Sequence, residues 1–384
     1  MIQFQQLPPL SLYVHIPWCV RKCPYCDFNS HEARGEAPQQ AYVTALIQDL
    51  EQALPLIWGR RIQTIFFGGG TPSLLAPELL DQFLSQVRAL LPLAHNVEIT
   101  LEANPGTVEA SRFAAFKASG INRLSLGIQS FDDAALTKIG RIHDGLEARK
   151  AAEIALDTFD NVNLDLMYAL PEQNLEAALK DIATAIALKP QHVSAYHLTL
   201  EPNTAFYHNP PSLPDDDTSA TMQEAIEQAL ATAGYEHYET SAFAAKNRHC
   251  RHNLNYWEFG DYLGIGAGAH SKLSFVDHVL RQARLKHPTA YIESTAKNVH
   301  IESEHRLTRQ DLGFEFMMNA LRLTDGFAVS LFQERAGIAI SQVQQALAKA
   351  EAKGLIQRDH LRIAPTLLGQ RFLNELLQMF LGGA

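Results

Sequence analysis

Leu12-Tyr13-Val14-His15-Ile16-Pro17-Trp18-Cys19-Val20-Arg21-Lys22-Cys23-Pro24-Tyr25-Cys26 is a short apolar run followed at once by three cysteines spaced C-x3-C-x2-C. The run from Leu12 to Ile16 reads as a strand, so the thiols fall on the loop that leaves it. Three thiolates this close suit a [4Fe–4S] cluster, which normally takes four cysteine ligands. A missing fourth ligand leaves one iron open, the arrangement by which S-adenosylmethionine is bound and reductively split. Zinc with His15 or His31 as fourth ligand is one alternative. Unrelated buried thiols are another. Zinc sites usually draw on a second, distant cysteine pair, and the one other cysteine is Cys250.

Outward from this loop, strand-like and helix-like segments alternate as far as about residue 200. The expected strands are Leu12–Ile16, Ile62–Phe67, Val97–Glu102, Arg123–Gln129, Val162–Met167 and His192–Leu200. Between them, Tyr42, Leu46, Leu50 and Leu54 share one helix face, and Leu80, Phe83, Val87 and Leu91 follow the same period. Six βα units imply parallel strands with right-handed crossovers. That is two short of a closed eight-stranded barrel, so the expected fold class is α/β: a partial (β/α)6, TIM-like barrel, with a doubly wound sheet as the alternative. Either way, function belongs at the C-terminal strand ends.

Three regions are expected: the barrel core over 1–210, a barrel-associated segment over 211–304, and a C-terminal, mainly helical, winged-helix-like domain over 305–384. The proline- and aspartate-rich stretch 209–217 reads as a break, 218–233 as a helix, 235–243 as a strand and 285–304 as a polar linker. Helices are expected over 314–323, 343–353 and 369–380, with a two-strand wing at 355–357 and 361–363.

The 384 residues are 46% hydrophobic and 19% charged, an ordinary globular composition. Lys+Arg 32 against Asp+Glu 42 gives −10, which argues against nucleic acid as a partner. Few cysteines, three of them too close together to staple a fold, point to a reducing, cytoplasmic setting. The N-terminus lacks the pattern of a signal peptide, and no apolar run is long enough to span a membrane.

Polar residues collect after successive expected strands: Gly68-Gly69-Gly70-Thr71-Pro72, Glu102-Ala103-Asn104-Pro105, Gly127-Ile128-Gln129-Ser130, then Arg141, His143 and Asp165. Consecutive glycines allow close backbone approach and φ > 0. Alone, each residue reads as a turn or cap; together they make a polar rim around one cavity.

These motifs, with the cysteine loop, resemble the radical-SAM family of the oxygen-independent coproporphyrinogen III oxidases over most of the chain. The resemblance implies a partial (β/α)6 barrel with a [4Fe–4S] cluster on Cys19, Cys23 and Cys26. It implies that Tyr13, Gly69 and Glu102 line one S-adenosylmethionine site. Tyr25, Gly70, Thr71, Gln129, Arg141 and Asp165 match positions lining a neighbouring site. Two features depart from the oxidases: Phe28 stands where they carry a further cysteine, and the segment ahead of the first strand is short. His252-Asn253-Leu254-Asn255-Tyr256-Trp257 instead matches the HNxxYW signature of the haem-binding, HemW-type branch. Neutral imidazole is a common axial haem ligand, and Tyr256, Trp257 and Phe259 offer apolar faces. Arg251 could pair a propionate, while Cys250 reads as a buried thiol and His270 as a second choice of ligand. The bland reading is an aromatic-rich core turn with His252 hydrogen-bonded inside it. Gly264-Ile265-Gly266-Ala267-Gly268-Ala269-His270 lacks the Lys-Ser/Thr of a phosphate loop and reads as close backbone packing.

By this resemblance the expected function is that of a haem chaperone, passing haem to acceptor haemoproteins, with the cluster and S-adenosylmethionine in support and a possible homodimer. The alternative is an oxidase in which a 5′-deoxyadenosyl radical takes hydrogen from a propionate and carbon dioxide leaves. A radical-SAM enzyme with another substrate is a third reading.

Overall fold

Six strands are buried along most of their length, as parallel strands covered on both faces are. They are β1 (Leu10–Ile16), β2 (Ile62–Gly69), β3 (Leu93–Ala103), β4 (Arg123–Gln129), β5 (Val162–Tyr168) and β6 (His192–His197). All neighbours pair in parallel in that order, as the (β/α) reading expected. In this computed structural model the described residues are 2–33, 35, 37–106 and 110–381. The crossovers carry α1 (Gln39–Ala53), α2 (Pro77–Leu90), α3 (Phe113–Ser119), α4 (Asp133–Lys138), α5 (Gly145–Thr158) and α6 (Leu175–Leu188). Their apolar stripes meet the strands in one large core, with Leu46, Leu50, Phe83 and Val87 fully buried.

The sheet runs further than the sequence pattern indicates. It has 12 strands. The segment expected as one strand over 235–243 is a hairpin, β7 (Glu236–Glu239) and β8 (Ala242–Ala244), in which β8 pairs antiparallel with β6. It follows α7 (Asp216–Thr232). On the other edge β9 (Asp261–Ile265) lies parallel to β1, and β10 (His270–Ser274), β11 (Val279–Arg284) and β12 (Ile301–Arg306) continue antiparallel. The expected linker over 285–304 is therefore mostly structured, by α9 (Pro288–Thr295) and β12. Buried charge hides these strands from a periodicity reading. Lys272 and Asp261 pair at 2.9 Å with both side chains fully buried. Asp49 of α1 meets Arg284 at 3.2 Å and His300 at 3.0 Å, and accepts from Tyr291 at 2.8 Å.

The C-terminal part has its own core around Phe316, Phe332 and Leu347. It consists of α10 (Arg309–Ala320), α11 (Val329–Ala336) and α12 (Gln344–Ala352), with a small antiparallel sheet of Phe327–Ala328, Ile356–Arg358 and Arg362–Pro365. The expected closing helix is two short ones, Leu367–Arg371 and Leu373–Gln378. No helix among the described residues is long and apolar enough to cross a membrane.

Asp49→Ala leaves the fully buried Arg284 without its counter-charge, so it should cost about 3–5 kcal/mol. Chemical denaturation checks this; a loss under about 1 kcal/mol would show that the edge strands do not depend on the pair.

Candidate functional site

The cysteine loop leaves β1 and is tied down at several points. Trp18–Cys19 pairs in parallel with His31–Glu32, closing the loop at its neck. Inside it, Cys26 N–H donates to Cys23 O at 3.2 Å. The Nε2–H of His15 donates to Asn29 O at 2.8 Å, and its Nδ1 accepts from the Tyr13 hydroxyl at 3.0 Å. Both nitrogens of His15 are thus engaged, and burial pushes its pKa down to about 4. Asn29 in turn donates to Ala267 O and Lys286 O, each at 2.9 Å. The glycine-rich run 264–270 acts here by close approach, as expected: a Cβ on Gly268 would lie 2.3 Å from Asn29 Nδ2.

The triple glycine at the end of β2 is required by packing. Gly69 has φ +115°, and a Cβ on Gly70 would lie 2.6 Å from Trp18 O. The Gly70 and Thr71 amides donate to Ile16 O and Trp18 O, both at 2.8 Å, and Gly69 N–H donates to Glu102 Oε2 at 3.2 Å. These amides are committed to the protein.

A cavity of about 360 Å³ opens under the loop at the strand C-termini. Cys19, Cys23, Cys26, Tyr25, Gly69, Gly70, Thr71, Glu102, Gln129, Arg141 and Asp165 all line it. Burial pushes the Cys19 and Cys26 thiols up. Arg141 donates to Gly127 O at 2.7 Å and to Asn104 Oδ1 at 2.8 Å, with Nη1 3.7 Å from Cys23 Sγ. Gln129 sits at φ 68° after a register shift in β4, which folds its amide over Gly127. Glu102 lies half-buried beside Asp165, and desolvation with that second carboxylate pushes its pKa up to about 8. Asp165 accepts from Ser125 at 2.9 Å and Asn163 at 2.8 Å.

Tyr13 lines a second, deeper chamber of about 670 Å³ together with Gly69 and Glu102, the two residues expected beside it, and this chamber shares Gly69, Glu102, Asp165, Phe28 and Tyr196 with the first. Its far end is aromatic: Phe66, His252, Tyr256, Trp257 and Tyr262. The last helix before β9, α8 (Arg251–Trp257), brings the HNxxYW residues there. Glu98 of β3 holds its start, accepting from Arg251 N at 3.3 Å and His252 N at 3.1 Å. Thr64 donates onward to Ser11 Oγ at 2.8 Å, so Nδ1 of His252 carries the proton and donates to Thr64 Oγ1 at 2.7 Å. Nε2 keeps its electron pair and accepts from Tyr256 at 3.1 Å. The ring stacks on Phe66 with centroids 4.9 Å apart. Burial, then Arg123, pushes the His252 pKa down to about 3.

Comparison with known proteins meets this geometry from outside. Residues 13–185 match the radical SAM superfamily model and 307–372 the HemN C-terminal domain model. A protein of Escherichia coli named heme chaperone HemW is 48% identical, over 98% of this chain and 99% of its own. The chain belongs to the HemW family. The HemW of Bacillus subtilis is 34% identical over 97% of this chain and 99% of its own. The solved coproporphyrinogen III oxidase HemN of Escherichia coli, described as a radical SAM enzyme, superposes with a TM-score of 0.82 at 23% identity, covering 97% of this chain and 90% of its own, which shows the fold alone.

Within this HemW-family chain the residues singled out from sequence divide between two sites. The three cysteines line the upper cavity with Tyr25, Gly70, Thr71, Gln129, Arg141 and Asp165, while Tyr13 lines the lower chamber with His252, Tyr256 and Trp257, and Gly69 and Glu102 border both. Two expected porphyrin contacts, Arg251 and Phe259, are absent from the chamber, and Cys250 is the buried thiol it reads as. Arg251 donates to Asn96 O at 2.6 Å, away from it. Phe259 is buried 5.7 Å from Phe316 in the C-terminal core, with Lys272 over its ring. Cys250 is fully buried, its thiol pushed up to about 12 by burial. His270 lines the chamber wall. Sequence reasoning missed Asn29 and Arg123; alternation along β4 places Arg123 inward with Ser125, which was the available signal.

His252 supplies a check. Its folded pKa of about 3 lies below the usual 6.5, so stability is full above pH 6.5 and is lost as pH falls toward 3. Against His252→Gln, the wild type should lose about 1.4 kcal/mol more per pH unit between roughly pH 6 and 4 in denaturant titrations. Parallel slopes would place the imidazole in contact with water.

Proposed function

We propose that this chain is a cytosolic haem chaperone that holds haem in the aromatic chamber and passes it to acceptor haemoproteins, with a [4Fe–4S] cluster on Cys19, Cys23 and Cys26 and S-adenosylmethionine beside it. One observation carries the reading: His252 is neutral, its Nδ1–H is fixed by Thr64, and its Nε2 electron pair faces the chamber through Tyr256. Fixing one ring nitrogen selects the other for iron. When the Tyr256 hydroxyl turns aside, Nε2 is the ligand atom.

The upper cavity fits its two groups. The three thiols line one cavity, and both nitrogens of His15 are engaged within the protein, so His15 is not free to act as a fourth ligand. The paired carboxylates of Glu102 and Asp165 suit a cationic ligand such as a sulfonium bearing an ammonium. A reduced cluster supplies the electron that cleaves S-adenosylmethionine when both are bound. Arg141 and the glycine turn hold the walls, and Glu102 gives up its proton as the cation arrives.

The Glu102 pKa of about 8 gives a signed test. Below it the free protein holds a proton that the bound cation expels, so S-adenosylmethionine affinity should rise up to about tenfold per pH unit from pH 6.5 and level off past pH 8. Glu102→Gln should flatten the profile in calorimetry; an unchanged slope would assign the proton elsewhere.

The haem reading is tested by anaerobic haemin titration followed in the Soret band, with transfer to an apo-haemoprotein. His252→Ala should weaken binding at least about tenfold, and Tyr256→Phe, which frees Nε2, should match or exceed the wild type. An unchanged His252→Ala titration removes His252 as ligand. Protoporphyrinogen made from coproporphyrinogen III would establish the oxidase instead.

A further inference from the structure

Two arginines are among the largest fully buried side chains, Arg123 and Arg284, and they are treated differently. Arg284 is saturated: it pairs with Asp49 and donates to Ser271 at 2.7 Å and Gln282 at 3.4 Å. Arg123, 2% exposed, has a buried Nε with no partner, and among the described residues no hydrogen bond or ion pair engages its guanidinium. Glu98 and Asp165 favour its charge through space, but the hydrogen bonds of its acidic neighbours are committed elsewhere. Glu98 caps α8, Asp165 is held by Ser125 and Asn163, and Glu102 accepts from Gly69. A guanidinium carries five donors and stays charged, and leaving it buried and unpaired is strongly unfavourable.

Arg123 lines the deeper chamber, between its polar wall and the aromatic end at Phe66 and Tyr256. The indole N–H of Trp257, on the same chamber, is also buried without a partner. The chamber volume falls in the range of ligand pockets. Flat apolar walls with a buried, unpartnered cation, set apart from the exposed Lys286 that also lines the chamber, suit a planar ring system that carries a carboxylate.

We infer that Arg123 anchors a carboxylate of the ligand in this chamber, which for the haem reading, on which this rests, is a propionate. Haem would then be held at two points, iron at His252 and carboxylate at Arg123, both of which line one cavity. A structural arginine would be saturated as Arg284 is; this one is completed by cargo.

The experiment compares haemin with its dimethyl ester on the full-length, cluster-loaded protein. Wild type should bind haemin at least about tenfold more tightly than the diester. Arg123→Gln should lower haemin affinity to the diester level, leave the diester unchanged, and leave the thermal midpoint without ligand unchanged or raised. Arg123→Lys should recover part of the preference. Equal wild-type affinity for the two ligands overturns the inference without any variant, as does Arg123→Gln weakening both equally or neither. Failure of the wild type to bind either ligand instead removes the haem reading, and this inference with it.

Discussion

Gly70 lies so close to the start of the cysteine loop that a Cβ there would come within 2.6 Å of Trp18 O. The contact is backbone against backbone, and neither side can yield. It sets the height at which Cys19 leaves the barrel and brings Thr71 beside that thiol. From it the loop is carried round by the pairing at His31–Glu32 and returned through Asn29 to His15 below and to the glycine-rich turn at 266–268. The thiols stand where they do because three backbone segments pack with almost no side chain between them.

Beneath that rim the interior is a charged, aromatic shaft, unlike the apolar filling of most small barrels. Each acid of the shaft has a stated use: Glu98 holds α8, Asp165 orders the β4–β5 face, and Glu102 keeps a proton against desolvation and Asp165. His252 ends the shaft as a neutral ring clasped by two hydroxyls. The two cavities share Glu102, Asp165 and Tyr196, so a group bound above changes the charge felt below. Such a shared wall couples the two sites in the chemistry proposed here, since expelling the Glu102 proton alters the field around Arg123.

Much of this was legible before any coordinates. The β1–β6 order follows from apolar runs with helix-period stripes between them, and the rim residues follow from lying just past strand ends. The missed elements have a common cause. Strands β9 to β12 bury Asp261, Lys272 and Arg284 in ion pairs, so their composition looks like surface. The edge strand β12 is exposed along most of its length, so 285–304 reads as linker. The hairpin at 236–244 turns at Thr240-Ser241, which no strong breaker marks. Thr64 meets His252 across 188 positions, a distance at which local pattern carries no information.

The proposed function requires a multinuclear iron centre on Cys19, Cys23 and Cys26. Mössbauer spectroscopy with iron and sulfide analysis on protein reconstituted without oxygen addresses it directly. The expected result is about four irons and four sulfides per chain in a [4Fe–4S] spectrum, lost when any of the three cysteines is replaced by serine. Stoichiometric zinc without sulfide, or a cluster that survives all three replacements, would contradict it.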